Sequence, residues 1–396
     1  MLCLCLVPST FPFCYPILLL LSFCIFHEVF LTSLTHGPNR IGSLYKKAVY
    51  RHYTDETYST EIPKPPWLGF LGPILRAEVG DVIVIHLKNF ASRPYSLHPH
   101  GVFYNKDSEG ALYPDGTSGR NKDDDRVPPG KNYTYVWPVR EEYAPAPADA
   151  NCLTWVYHSH IDAPKDICSG LIGPLLVCKE GKGYVEKTDV DHEFVIMFTL
   201  VDENQSWYLD ENIRHFCTDP DSVDKHDAVF QRSNKMHGES LNGYLFGNFP
   251  EPDMCVGESV SWHLFGMGNE IDIHSIYFYG NTFISRGHRT DVVNLFPATF
   301  LTTEMIVENP GKWMITCQVS DHLQAVDIYC QNGTSHPKMK GQQRHYFIAA
   351  EKILWDYGPQ GYNKFSGLPL NASGSRCGDE LAKESYPFGS RTANIS

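Results

Sequence analysis

The chain has 396 residues, enough for two or three ordinary domains. Its 42% hydrophobic and 20% charged residues are a globular composition and exclude a disordered chain. Lys and Arg number 33 against 46 Asp and Glu, and a net charge of −13 is a poor match to a phosphate backbone, which argues against a nucleic-acid binder.

In chain order, residues 1–26 carry no charged side chain, and Ile17 to Phe26 is almost wholly apolar. With Cys3, Cys5, Cys14 and Cys24 inside it, the 1–36 leader reads as a secretory signal. A membrane anchor is the alternative, but Pro8, Pro12 and Pro16 interrupt the run, and a basic n-region is missing. No later segment approaches the length of a spanning helix. Sequons at Asn132, Asn204, Asn332, Asn371 and Asn394 suit a secreted glycoprotein. Thereafter strand-like runs dominate. Asp81 to Lys88 reads as a buried strand, as do Glu193 to Leu200 and Ser259 to Phe265, while Tyr133 to Trp137 and Thr154 to His158 alternate. Turn signals such as Pro128-Pro-Gly130 and Asn309-Pro-Gly311 punctuate them, so an all-β chain of sandwiches is expected. Asp221 to Met236 reads as a short helix.

An internal repeat runs through these elements. Pro128-Pro-Gly130 precedes a strand, and Thr154-Trp155 leads into His158-Ser-His160. Asn309-Pro-Gly311 precedes Lys312-Trp313, which leads into Cys317 and His322, and His100-Gly-Val-Phe-Tyr104 resembles His274-Ser-Ile-Tyr-Phe-Tyr279. Two units of about 150 residues follow, at 37–185 and 190–344. His345 to Tyr357 opens a third, and 345–396 is a stub with a polar tail.

Within the repeat, His98-Pro-His100 and His158-Ser-His160 each place two imidazoles on one strand face, which suits copper or zinc. Two polar strand residues facing solvent are the alternative. His274, Cys317 and His322 form H…C-x4-H, and a His2Cys set is the blue-copper arrangement, a soft thiolate with two imidazoles. A disulfide cysteine beside an incidental histidine is the alternative there.

The residues Trp155-Val-Tyr-His-Ser-His-Ile-Asp-Ala-Pro-Lys-Asp-Ile-Cys-Ser-Gly-Leu-Ile-Gly-Pro174, Gly266-Met-Gly-Asn-Glu270 and Asn294-Leu-Phe-Pro-Ala298 resemble the ceruloplasmin and hephaestin family of multicopper ferroxidases. The resemblance spans about residues 37 to 371. It implies tandem cupredoxin (plastocyanin-like) Greek-key sandwiches, oxidation of Fe(II) to Fe(III), reduction of O2 to water, and a role in iron transport. His98 would bind the type 2 copper, and His100, His158 and His160 the type 3 pair, as half of a trinuclear cluster. His274, Cys317 and His322 would hold a type 1 (blue) copper, and Glu270 would be an iron-site carboxylate. Lys106 (through its carbonyl), Asn121, Asp124 and Asp125 match a calcium loop. The resemblance also implies disulfides Cys152–Cys178 and Cys255–Cys330, reserves Cys317 for copper, and leaves Cys168 and Cys217 as thiols.

The chain departs from the family pattern in four places. Asp327 stands where an axial Met or Leu is expected, open to entering as a hard oxygen ligand, and about six residues are missing between Ala325 and Cys330. The opening strand of the first unit is absent. Thr316 and Gln318 flank Cys317, where a cluster-wired copper has histidines. Domains four to six, with four further cluster histidines and the membrane anchor, are not in the sequence. The expectation is a truncated N-terminal form of a secreted or cell-surface copper ferroxidase, with weak or no turnover until missing domains or another subunit complete the cluster. The competing class is a non-catalytic copper-binding or interaction module, like the related domains of clotting factors V and VIII.

Overall fold

The computed structural model describes residues 35–181, 190–235, 240–245, 248–250, 252–268, 272–319, 325–331 (main chain only at 325 and 326) and Pro369. The 1–34 leader, Glu270, His322 and the third-unit opening at 345–357 lie outside the described residues. Residues 1–337 form one compact unit and 338–396 another. All named strands belong to the first.

Its first half holds β1 (Leu75–Glu78), β2 (Val82–Lys88), β3 (His98–Pro99), β4 (Asn132–Pro138), β5 (Cys152–His158) and β6 (Ile172–Cys178). They form two sheets, ordered β1-β6-β5-β3 and β2-β4. The inward residues of both, among them Tyr135, Trp137, Tyr157, Leu175 and Val177, share one core. A four-residue α1 (Arg120–Asp123) and α2 (Ala163–Cys168) sit in the connections.

The second half is larger. After β7 (His192–Thr199) come α3 (Leu209–Phe216) and α4 (Ala228–Asn234), then β8 (Ser240–Leu241), β9 (Asp253–Cys255), β10 (Ser259–Gly266) and β11 (His274–Phe278). β12 (Phe283–Ser285), β13 (His288–Thr290), β14 (Val292–Leu295), β15 (Thr299–Ile306), β16 (Gly311–Cys317) and β17 (Ala325–Gln331) complete it. Sheets β13-β12-β15-β10-β7-β8 and β14-β11-β16-β17-β9 face each other across a core built on Phe198, Trp262, Phe278 and Ile315. The helix read over 221–236 is α4, started by Asp227, whose side chain accepts from the Phe230 amide at 2.9 Å. α3 was not anticipated.

Strand register makes the repeat explicit. His86 of β2 pairs with Thr134 of β4, and His263 of β10 pairs with Thr302 of β15. Trp155 of β5 pairs with Leu175, and Trp313 of β16 with Ile328. The two turn signals are not counterparts, however. Pro128-Pro-Gly130 leads into β4, whose equivalent is β15, whereas Asn309-Pro-Gly311 leads into β16, the equivalent of β5. The halves also differ at one edge. β10 is flanked by β15 and a parallel β7, whereas β2 pairs with β4 alone among the described residues. β2 is also not the buried strand its composition suggested: Ile83, Ile85 and Leu87 face the core, while Val82 is 54% and Val84 50% exposed on the other face.

The two halves meet sheet to sheet. Val156 and Ile172 of the first pack on Val195, Met197 and Phe265 of the second. β6 and most of β7 are thereby buried on both faces, which is why both read as continuous apolar runs. Thr154 bridges the junction, its hydroxyl 2.7 Å from His263 Nδ1, and His263 Nε2 lies 2.8 Å from Glu193.

Candidate metal centre

Alternation along β5 sorts its side chains between two environments. Tyr157 points into the first core, whereas Val156 faces the junction with the second half, and His158 shares its side. His98 is the register partner of His158, and the His100 amide donates to Val156 O at 2.9 Å. Both H-x-H pairs therefore converge. Ring centroids lie 5.4 Å apart for His98–His100, 5.7 Å for His98–His158, 5.0 Å for His98–His160, 5.3 Å for His100–His158 and 5.4 Å for His158–His160. Phe300 of β15 closes one side, 5.2 Å from the His100 ring. Gly101 is required here: at φ +75° its Cβ would stand 2.2 Å from the Trp155 indole.

Second partners set the tautomers. His98 Nδ1 donates to Glu109 O at 2.6 Å, and His158 Nδ1 to Ser159 O at 2.8 Å, so each keeps its lone pair on Nε2. His100 Nε2 lies 3.1 Å from His158 Nε2 and donates to it. Burial favours the neutral form of three of these rings, lowering His100 to about 4 and His158 to about 3, with the neighbouring imidazoles adding to it, and lowering His98 as well. Neutral imidazole is the metal-binding form.

The chemistry of this donor set, imidazole nitrogens close together, fits copper. Two nitrogens about 2 Å from one metal ion stand about 3 Å apart, and the His100–His158 separation matches once the bridging hydrogen moves to His100 Nδ1. Among the described residues no three His, Cys, Asp or Glu side chains converge on one point.

In the second half, Cys317 of β16 pairs with Ile276 of β11, and His274 lies two residues along on the same inward face. The thiol is buried, and the Ser275 amide donates to its Sγ at 3.3 Å. Asp272, not singled out from sequence, is also buried. Its carboxylate lies 3.2 Å from His274 Nε2 and accepts from the Leu200 amide at 2.7 Å and the Thr199 hydroxyl at 3.1 Å. The i, i+2 spacing of Asp272 and His274 was the available signal. Asp327 does not enter the site, a correction to its reading as a hard ligand. It pairs with Met314, which is exposed like Lys312 on that face, and it ion-pairs with Lys312 at 3.0 Å on the face opposite Cys317.

The acidic loop is partly assembled. Asp124 and Asp125 are fully buried, and burial raises the Asp124 carboxyl. Asp124 accepts from the Gly110 amide at 2.7 Å, and Asp125 pairs with Lys122 at 2.7 Å. Asp124 Oδ1 and Asp125 Oδ1 have no hydrogen-bond partner. Asn121 is exposed, and the Lys106 ammonium pairs with Glu109 and with Asp115, which sequence reading did not include.

Cys152 and Cys178 face each other in register and are bonded. Cys255 and Cys330 are both free, which corrects the second expected disulfide. Here Cys330 pairs with Met254, and Gln331 with Cys255, so the cysteines are one residue out of phase. Cys330 points inward, and its thiol is pushed up to about 11 by burial, with a smaller contribution from the nearby Cys255, which points the other way. An offset of one residue turns the two side chains to opposite faces of the sheet. Cys168 and Cys217 are thiols, as expected.

Family models described as multicopper oxidase match residues 69–182 and 259–326. Ferroxidase HEPHL1 of Homo sapiens (hephaestin-like protein 1) is 87% identical over 352 residues, 86% of this chain and 30% of its own length. Hephaestin of Mus musculus is 54% identical over 90% of this chain and 32% of its own, and ceruloplasmin of Homo sapiens 51% identical over 86% and 33%. Among solved structures, the blue copper oxidase from Nitrosomonas europaea covers 72% of this chain and 83% of its own, at 17% identity and a TM-score of 0.49. The chain spans about a third of the length of the curated relatives it matches. With both matched segments lying on the strands that carry the histidines and Cys317, the chain belongs to the ceruloplasmin and hephaestin family of multicopper oxidases, copper-dependent oxidoreductases with tandem cupredoxin-type sandwiches.

Proposed function

We propose that this chain is the part of a ferroxidase that supplies half of its trinuclear copper site. The observation that carries the reading is the group of imidazoles, His98, His100, His158 and His160, gathered on one face with Nε2 lone pairs set by Nδ1 bonds at His98 and His158. The domains are 37–185, carrying these ligands, and 190–344, carrying His274, Cys317 and His322 for a blue copper. Copper held by these residues would supply one-electron redox chemistry, suited to oxidising four Fe(II) to Fe(III) as one O2 and four protons become two waters. The chain's own residues orient the ligands. Glu109 O and Ser159 O hold two tautomers, Phe300 covers His100, and the Ser275 amide steadies the Cys317 sulfur. Glu270 is assigned to iron, and Asp124 and Asp125 to calcium with Lys122 as the competing cation.

Four histidines are half the ligand set that the family resemblance implies, so the chain alone turns over weakly or not at all. The other domains, or another subunit, complete the cluster. The setting is secreted or at the extracellular face of the plasma membrane. Among the described residues no helix is long and apolar enough to cross a membrane. A second reading, a copper-binding module without turnover, is favoured by Thr316 and Gln318 beside Cys317, which leave that thiolate without adjoining cluster ligands. Copper stoichiometry together with Fe(II)-dependent O2 uptake separates the two, using His100→Ala and His160→Ala. Copper bound through these histidines is expected in either case. Stoichiometry unchanged in both variants sinks the assignment, and turnover by the chain alone that both variants abolish sinks the claim of incompleteness.

A further inference from the structure

We propose that Asp166 is the positioning residue for the type 3 ligands His158 and His160, acting through Ser159. The proposal rests on the copper reading of the histidine cluster.

Asp166, on α2, is fully buried, and its side chain accepts four hydrogen bonds. Oδ2 takes the Ser159 hydroxyl at 2.7 Å, the Ile161 amide at 2.9 Å and the Asp162 amide at 3.2 Å, and Oδ1 takes Trp207 Nε1 at 2.8 Å. Three of those donors belong to the turn that begins between the two histidines. Reciprocal capping of the helix start, in which Asp162 accepts from the Lys165 amide, accounts for the bond from the Asp162 amide but not for those from the Ser159 hydroxyl and the Ile161 amide. The bonds reach back to the ligand strand instead.

Ser159 passes the constraint on. Its carbonyl accepts His158 Nδ1–H, which fixes that tautomer, and its hydroxyl oxygen accepts from the Ser96 amide at 3.1 Å. The Ser96 hydroxyl oxygen in turn accepts from the His160 amide at 3.0 Å. Ser96 and Ser159 are both fully buried. One hydrogen-bond chain therefore joins the approach to His98 with both residues of the second pair. Its far end is fixed by Trp207, a residue of the second half whose ring lies 3.9 Å from the Arg93 guanidinium. An Asn at 166 offers one acceptor oxygen and turns an NH2 toward either the Trp207 N–H or the 161–162 amides, so donors face donors with no water to separate them.

The test uses the full chain, metal-free and labelled with ¹⁵N-histidine, followed by titration with Cu(II) alone. In the parent, ring correlations should report the Nδ1–H form at His158. Asp166→Asn and Ser159→Ala should both shift the His158 ring toward mixed tautomers and move the His160 ring signals, while leaving His274 unchanged. Copper affinity at the cluster, identified by its loss in His100→Ala, should weaken about 10- to 100-fold, as for other partners of metal-bound histidines. If Asp166→Asn does not fold, Ser159→Ala decides alone. Parent-like rings in the folded variants, or a change that spreads to His274, overturns the proposal. Copper binding indifferent to His100→Ala overturns the copper reading instead, and the metal-free ring signals still decide whether Asp166 positions the pair.

Discussion

Ser159 and Cys317 occupy the same slot in the two sandwiches. Each follows by four residues a tryptophan, Trp155 or Trp313, that pairs with the strand next in sequence, and each is buried on the inward side. In the first half the slot holds a hydroxyl, and its neighbours, His158 and His160, are imidazoles. In the second it holds a thiol, and its neighbours are Thr316 and Gln318. One strand position thus separates a face able to share a copper cluster from a pocket able to hold a single thiolate-bound copper.

The neutral histidines make stability depend on pH. His100 sits at about 4 and His158 at about 3 when folded, against 6.5 ordinarily. Between about pH 6.5 and 4 the unfolded chain binds protons that the folded chain excludes, so stability falls as pH drops through that window. For His100 the loss by pH 5 should be about 2 kcal/mol, at about 1.4 kcal/mol per unit. Urea unfolding of the metal-free chain at pH 7 and pH 5 should show a smaller pH effect in His100→Gln than in the parent. Equal effects would contradict this account of the site.

Only one disulfide should appear among the cysteines of the two sandwiches. Mass mapping of the folded chain is expected to find Cys152 linked to Cys178, and Cys255 and Cys330 as thiols, the latter alkylated only on unfolding. The bonded pair closes a loop with a sequence separation of 26, so replacing both cysteines by alanine should cost about 3 kcal/mol. A Cys255–Cys330 peptide would show that β17 is not one residue out of phase.

Asp327 should be dispensable at the second site. Its ion pair with Lys312 is half-exposed, and such pairs contribute about 0–1 kcal/mol. Asp327→Asn is expected to leave both stability and the copper(II) spectrum of the His274 and Cys317 site unchanged. Asp272→Asn should change that spectrum and lower stability by about 1–3 kcal/mol, because one of two buried acceptor oxygens becomes an NH2 facing a donor. A spectral change with Asp327→Asn alone would restore it as a ligand.

The unmatched edge of β2 should exchange its amide hydrogens quickly. The Asn89 amide bonds toward β4, to Lys131 O, while His86 O faces away and accepts from the Tyr58 hydroxyl at 2.9 Å. The amides of Val84 and His86 therefore point off the sheet, whereas their equivalents in β10, Ser261 and His263, face β7. Hydrogen exchange should be at least 100-fold faster at Val84 and His86 than at Ser261 and His263. Comparable protection would mean that another segment covers the edge.

Much was legible in the sequence because strand chemistry is local. The apolar run of β7, the alternation of β4 and the i, i+2 histidines all follow from a period of two, and a strand presents such pairs on one face wherever it sits. The repeat was legible for the same reason, since Trp155 and Trp313 stand at equal distances from the ligand strand ends. Tertiary structure decided what depends on a second strand. Register put Cys330 out of phase with Cys255 and turned Asp327 to the outside, and a one-residue slip is invisible in composition. Only a layer packed on the outer face of β2 would have buried Val82 and Val84. Asp166, Ser96 and Trp207 are scattered through the sequence, and burial alone turns their ordinary polar groups into an obligatory network around the imidazoles, because without water each must find a partner in the protein.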